Sequence, residues 1–245
     1  MMNTRNLLAA AAMSAMLAVP SMASSGEFSP TQRDEIGSIV REYLLKHPEV
    51  LREAFEALEL KQNATGLAAA ADKLYRASGD LIAGNPDGDI VLVEFFDYNC
   101  GYCKRSLPDV LQLISKNKDL KLIMKEWPIL GAGSVYAARA ALASRAQGKY
   151  WQFHLALLAE RRVDETTVLG VAEKVGLDIE RLKADMLSNE VLETIRDNGS
   201  TAELIGIQGT PAFVVGDQLF PGAVGYDKLT EAIEKVRKDG GCKIC

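Results

Sequence analysis

The hydrophobic and polar positions of this chain fall into blocks whose period changes along its length. After Ser29, Ile36, Ile39, Val40, Tyr43 and Leu44 recur at helical spacing, and after an interruption at His47-Pro48 a second stripe continues through Val50, Leu51, Ala54, Phe55 and Leu58. Ser29 as N-cap, Pro30 in the first turn and Gln32 as the capping-box partner mark the start of the first helix. Such stripes bury their apolar side either on their own domain or on another subunit, and amphipathicity alone does not choose between them. Ala-rich Ala64–Ala77 predicts a further helix, Asp80–Ala83 a short edge strand, and Gly84-Asn85-Pro86-Asp87-Gly88 a turn.

The pattern then changes sharply. Ile90–Phe96 is a continuous apolar run broken only by Glu94, as expected of a strand buried on both faces. Asp97-Tyr98-Asn99 ends it and delivers Cys100-Gly101-Tyr102-Cys103 to a helical pattern, Lys104–Lys116. Leu120–Trp127 reads as a second buried strand, which makes a βαβ unit with the first. Little strand character follows until Ile205. Tyr136–Gln147, Trp151–Arg161, Thr167–Val175, Ile179–Leu187 and Val191–Leu204 all read as helices. Strands return at Pro211–Val215 and Gln218–Phe220 around a Gly216-Asp217 turn, and a last helix spans Asp227–Arg237. The order predicts one mixed α/β domain carrying an all-helical insertion at about 131–205, preceded by a helical extension.

Composition alters this picture in two places. A net charge of −5 without a basic cluster argues against nucleic acid as a partner. Residues 1–23 read as an export leader: Arg5, an apolar Leu7–Val19 core and Ser21-Met22-Ala23 as a small-residue cleavage site. A retained membrane anchor is the rival reading, but the apolar run falls short of the roughly 20 residues needed to span a bilayer. The expected boundaries are 1–23 leader, 24–78 helical extension, 79–238 main domain and 239–245 tail.

Export gives the four cysteines their meaning, because oxidising compartments favour disulfide chemistry. Cys100 stands where a helix N-terminus offers unpaired N–H groups and a positive dipole end, which together lower a thiol into the range of about 3.5–7.5. Cys103 lies one turn further in and is the natural resolving thiol. An inert disulfide, or a zinc knuckle built from both Cys-x-x-Cys pairs, are the competing readings. Cys242 and Cys245 admit four: a tail disulfide, an electron relay, an intersubunit bridge or a soft-metal clip. His47 and His154 read as structural.

Cys-x-x-Cys after a buried strand, Thr210-Pro211 before a hairpin and the long helical insertion between them resemble the DsbA family of bacterial periplasmic thiol–disulfide oxidoreductases, over roughly Asp80–Lys238. The N-terminal extension and the wording Phe95-Phe96-Asp97-Tyr98-Asn99-Cys100-Gly101-Tyr102-Cys103 are similar to a subgroup with ScsC-type members, some of which oligomerise through the extension. The resemblance implies a thioredoxin fold, periplasmic location, and Cys100 and Cys103 as the catalytic pair. It makes Glu94 a proton-transfer group beneath Cys103, with Lys125 as its partner; the alternative is a strand-end carboxylate that reaches water. It implies that the Thr210-Pro211 bond, trans by default, is cis and faces the dithiol, leaving the Thr210 backbone to pair with substrate, with Gly101 and Tyr102 also at the substrate surface. Because Gly101-Tyr102 lacks a His, the couple is expected to be less oxidising than about −120 mV. No cofactor and no metal site are expected. The expected partners are protein thiols and disulfides, a membrane redox partner and further copies of the chain through residues 24–62. An oligomer with several Cys100 sites on one cleft would favour isomerase over oxidase. The rival from another class is a thiol protein that handles copper or serves a metal-stress system.

Overall fold

The computed structural model describes residues 28–245; the expected leader lies outside the described residues. The chain divides into two units, one ending at Glu53 and one beginning at Ala54. This boundary falls well before the one expected after residue 78. Leu67, Ala70, Leu74 and Tyr75 are already buried in the core of the second unit, so the Ala-rich segment is part of the main domain.

In the first unit, helix α1 (Pro30–Lys46) begins as its capping signals predict. The Gln32 N–H donates to Ser29 Oγ at 3.2 Å, and the Ser29 N–H donates to Gln32 Oε1 at 2.9 Å. Helix α2 (Pro48–Ala69) follows after His47, and its residues from Ala54 onward belong to the second unit. No residue of α1 is buried, and Ile39, Val40, Tyr43 and Leu45 stand exposed along it.

The second unit contains α3 (Ala71–Tyr75) and strands β1 (Leu81–Gly84), β2 (Ile90–Phe96), β3 (Leu120–Glu126), β4 (Ala212–Val215) and β5 (Gln218–Pro221), arranged as one sheet in the order β1-β3-β2-β4-β5. Only β2 and β3 run parallel, joined through α4 (Gly101–Lys116). Every residue of β2 is buried, which explains a run without polar alternation. The insertion consists of α5 (Ala132–Ala143), a 3-10 turn over Ser144–Gln147, α6 (Tyr150–Ala159), α7 (Glu165–Lys174), α8 (Ile179–Asp185) and α9 (Asn189–Leu204), and α10 (Tyr226–Lys238) closes the fold.

Alternation along the strands divides the core in two. Ile90, Leu92, Phe96, Leu122 and Met124 pack with α4, α10 and the insertion, while Val91, Val93, Phe95 and Ile123 pack with Leu67, Leu74 and Ala202. Register therefore decides which side chains meet: Glu94 lies opposite Met124, and Lys125 lies opposite Phe95.

The tail folds back beside the start of β2, with Gly241 near the Asp89 carbonyl. Cys242 and Cys245 form an intrachain disulfide, Cα–Cα 5.5 Å, and Arg76 Nη2 donates to the Cys245 carbonyl at 2.8 Å.

Candidate active site

The dithiol stands at the opposite end of β2 from the tail. The strand ends at Phe96, the Cys100 N–H donates back to the Asp97 carbonyl at 3.0 Å, and the chain enters α4 with Cys100 as its N-cap. The Cys103 N–H donates to Cys100 Sγ at 3.4 Å, so this sulfur occupies the position that a Ser or Asp oxygen fills at other helix starts. The Cys100 S–H in turn donates to the Thr210 carbonyl at 3.1 Å, across the sheet on the segment leading into β4, and the Thr210-Pro211 bond is cis.

Hydrogen bonding makes the two thiols unlike. A bond from the Cys103 thiol, then the Thr210 side chain and the N–H groups of Cys103 and Tyr102, outweigh burial and draw Cys100 from 9.0 down to about 5. Burial, together with the bond it gives to Cys100, pushes Cys103 far above the ordinary thiol range. One sulfur is thus a thiolate at neutral pH and the other keeps its proton. Between them, Tyr102 is 60% exposed with the Arg105 guanidinium 4.1 Å above its ring, and Gly101 is exposed at the first turn.

Glu94 is buried beneath the pair. Burial, then the charge on Cys100, pushes its carboxyl from 4.5 up to about 8, so it holds a proton near both sulfurs at neutral pH. The alternative of a strand-end carboxylate in water does not fit this placement.

Lys125 requires a correction. It was expected to partner Glu94, but the register sends the two side chains to opposite faces of the sheet. Lys125 is wholly buried, and its Nζ donates to Asp80 Oδ2 and the Lys73 carbonyl, each at 2.5 Å. Burial lowers Lys125 and raises Asp80 to about 6, each opposed by the other's charge. This ion pair fastens the segment before β1 to the sheet, away from the sulfurs.

Three further side chains shape the dithiol loop, and sequence reasoning passed over them. In the sequence pattern Asp97 only ends a strand, yet it is buried and its carboxylate accepts four hydrogen bonds: Oδ1 from the Asn99 N–H and Ser134 Oγ, both at 2.7 Å, and Oδ2 from the Ile129 and Leu130 N–H groups at 2.8 and 2.9 Å. Asn99 Nδ2 donates to Ser134 Oγ and the Val163 carbonyl, and Asn99 Oδ1 accepts from the Val163 N–H at 2.8 Å. The legible signal was an Asp followed two residues later by Asn at a strand-to-helix junction, the spacing of an Asx-turn. Beside them, Tyr98 and Tyr150 both donate to Glu126 Oε1, at 2.8 and 2.6 Å, and His154 Nδ1 lies 3.0 Å from the Tyr98 hydroxyl. Burial raises Glu126 to about 8 and lowers His154 to about 3, so the histidine belongs to the packing as expected.

A dithiol with one low and one high thiol, a buried proton-holding carboxyl and a backbone carbonyl against the reactive sulfur is an arrangement for thiol–disulfide exchange. Among curated proteins the chain resembles Na(+)/H(+) antiporters NhaA, such as that of Mycobacterium sp. (strain KMS), 31% identical over 164 residues, 64% of this chain and 27% of that protein. The chain spans about a quarter of the length of these relatives. Among solved structures, a thioredoxin-like oxidoreductase from Silicibacter pomeroyi DSS-3 is 46% identical with a TM-score of 0.67, covering 68% of this chain and 97% of that one. A linker-deletion mutant of Proteus mirabilis ScsC is 29% identical with a TM-score of 0.73, covering 88% of this chain and 100% of that one. Residues 32–64 match the N-terminal domain of the copper resistance protein ScsC. Residues 91–234, more than half the chain and all of the dithiol machinery, match the DSBA-like thioredoxin domain, and the chain belongs to that family.

Proposed function

We propose that this chain is an exported protein thiol–disulfide oxidoreductase that works through Cys100 and Cys103. The observation that carries this reading is the placement of Cys100 Sγ, held at about 5 by its donors and in contact with the Thr210 carbonyl. In the oxidised enzyme a substrate thiolate attacks Cys100 Sγ, and the S–S bond to Cys103 breaks. Cys103 leaves with the electron pair and takes a proton, for which Glu94, protonated up to about pH 8, is the adjacent donor. A second substrate thiolate then attacks the substrate sulfur of the mixed disulfide and expels Cys100 as a stabilised thiolate, so two electrons pass to the enzyme. With Cys100 bonded to sulfur there is no S–H for the Thr210 carbonyl to accept, and that carbonyl is open to a backbone N–H from an extended substrate segment. The reverse sequence reduces a disulfide. Reduced ribonuclease should gain disulfides with the oxidised wild type and not with Cys100→Ser; equal rates would defeat the reading.

Export rests on the leader pattern of residues 1–23, and periplasmic location and a membrane redox partner follow from the reading. The exposed stripe of Ile36, Ile39, Val40 and Tyr43 supports self-association through residues 24–62, and with it isomerase activity from Cys100 sites that share a cleft. Light scattering decides this: Ile39→Asp with Tyr43→Asp should lower the mass to that of one chain and abolish refolding of scrambled ribonuclease. A wild type that is already monomeric rules out this route. The ScsC match over residues 32–64 favours a second reading, service in copper stress. It predicts Cu(I) binding to the reduced chain that persists through Cys242 and Cys245 in Cys100→Ser/Cys103→Ser.

A further inference from the structure

Asp97 reaches further than a loop residue needs to. Its four hydrogen bonds come from three places: its own turn, the segment after β3, and the first turn of α5. Four donors on two oxygens, with nothing for the side chain to donate to, is the full complement of a carboxylate. Ser134 Oγ donates to Asp97 and accepts from Asn99, whose amide also makes both hydrogen bonds to the Val163 backbone. The residues before Cys100 are therefore tied to the segment after β3 at 129–130 and to the insertion at 134 and 163. The packing leaves no slack. A Cβ on Gly133 would collide with the Val163 carbonyl, so α5 can approach this closely only with glycine there.

We propose that Asp97, acting with Ser134 and Asn99, is a positioning residue that holds Cys100 in register with the Thr210 carbonyl for protein substrates. The inference rests on the exchange reading above and deepens it. A small thiol needs only access to Cys100 Sγ. A protein segment needs the sulfur and the Thr210 carbonyl aligned together, because it is held at both. Loss of the Asp97 bonds lets the loop drift relative to Thr210, and a misplacement of roughly 1 Å costs up to about 100-fold in such two-point reactions.

The test compares two attacks on the same Cys100 sulfur in the oxidised full chain, one by reduced unfolded ribonuclease and one by glutathione. For Asp97→Asn, kcat/KM with ribonuclease should fall about tenfold or more while the glutathione rate changes less than about threefold. Ser134→Ala keeps the Asp97 charge and should move the same ratio in the same direction by a smaller factor. A residue that served folding alone would lower both rates in proportion to the folded fraction. Proportional loss, or an unchanged ratio, in either variant overturns the proposal. If Asp97→Asn does not fold, Ser134→Ala decides. A wild type that fails to oxidise ribonuclease overturns the exchange reading instead, so the two failures are distinguishable.

Discussion

Replacing Glu94 by Gln should make the protein more stable as pH rises, by an amount the structure sets. Burial, with the Cys100 charge second, raises the folded carboxyl to about 8 from 4.5. Below pH 4.5 the side chain is protonated in both folded and unfolded chains, so its full stability is present there. Above 4.5 the unfolded chain releases the proton and the folded one keeps it. The unfolded state then binds fewer protons, and stability falls with pH until the folded group itself ionises near 8. At about 1.4 kcal/mol per unit the loss is about 3 kcal/mol at pH 7 and about 5 kcal/mol above pH 8. Gln fills nearly the same volume and carries no titrating proton, so the variant escapes this loss. Urea unfolding of the reduced wild type and Glu94→Gln at pH 4, 5, 6, 7 and 8 measures it: the variant-minus-wild-type difference should climb by about 3 kcal/mol between pH 4 and 7. Oxidation removes the Cys100 charge, so the climb should be smaller in the oxidised pair. A difference that stays flat across this range would falsify the placement of Glu94 as a buried, protonated group and restore it to a carboxylate that reaches water.

Three other outcomes can be checked. Alkylation of Cys100 by iodoacetamide should follow a titration with its midpoint near 5, with Cys103 unreactive until the chain is unfolded; a midpoint near 9 would mean the helix-start donors do not act on this sulfur. Lys125→Met should destabilise by about 3–5 kcal/mol, because it leaves Asp80 buried and unpaired, and Lys125→Met/Asp80→Asn should recover much of that loss. The Cys100 midpoint should not move in either variant, since the pair lies on the other face of the sheet; a shifted midpoint would reinstate Lys125 at the site. Cys242→Ser/Cys245→Ser should cost no more than about 2 kcal/mol, the chain-entropy value for a four-residue loop, and leave ribonuclease oxidation unchanged.

Much of the molecule was legible in its residues because the deciding interactions are local. The Ser29 cap, the break at His47-Pro48 and the helices of the insertion depend on neighbours within one or two turns, and they fall close to where the spacing put them. The run Ile90–Phe96 announced a strand covered on both faces, and the Cys pair that follows a strand and opens a helix announced which sulfur the N–H groups would hold. What went unread depends on register and on partners far along the chain. Side chains on two parallel strands meet only if the ladder puts them on one face. A shift of one residue would have paired Glu94 with Lys125, whereas the actual register gives Lys125 to Asp80 and leaves Glu94 under the sulfurs. Asp97 looked like punctuation because its donors, at 129, 130 and 134, become its neighbours only when the sheet and insertion fold together. By itself, then, the sequence determined the elements and the reactive sulfur. The tertiary structure decided that Glu94 is buried beneath the sulfurs, that Lys125 pairs with Asp80 on the other face, and how the loop that carries Cys100 is held, since buried charges take the partners the fold brings to them.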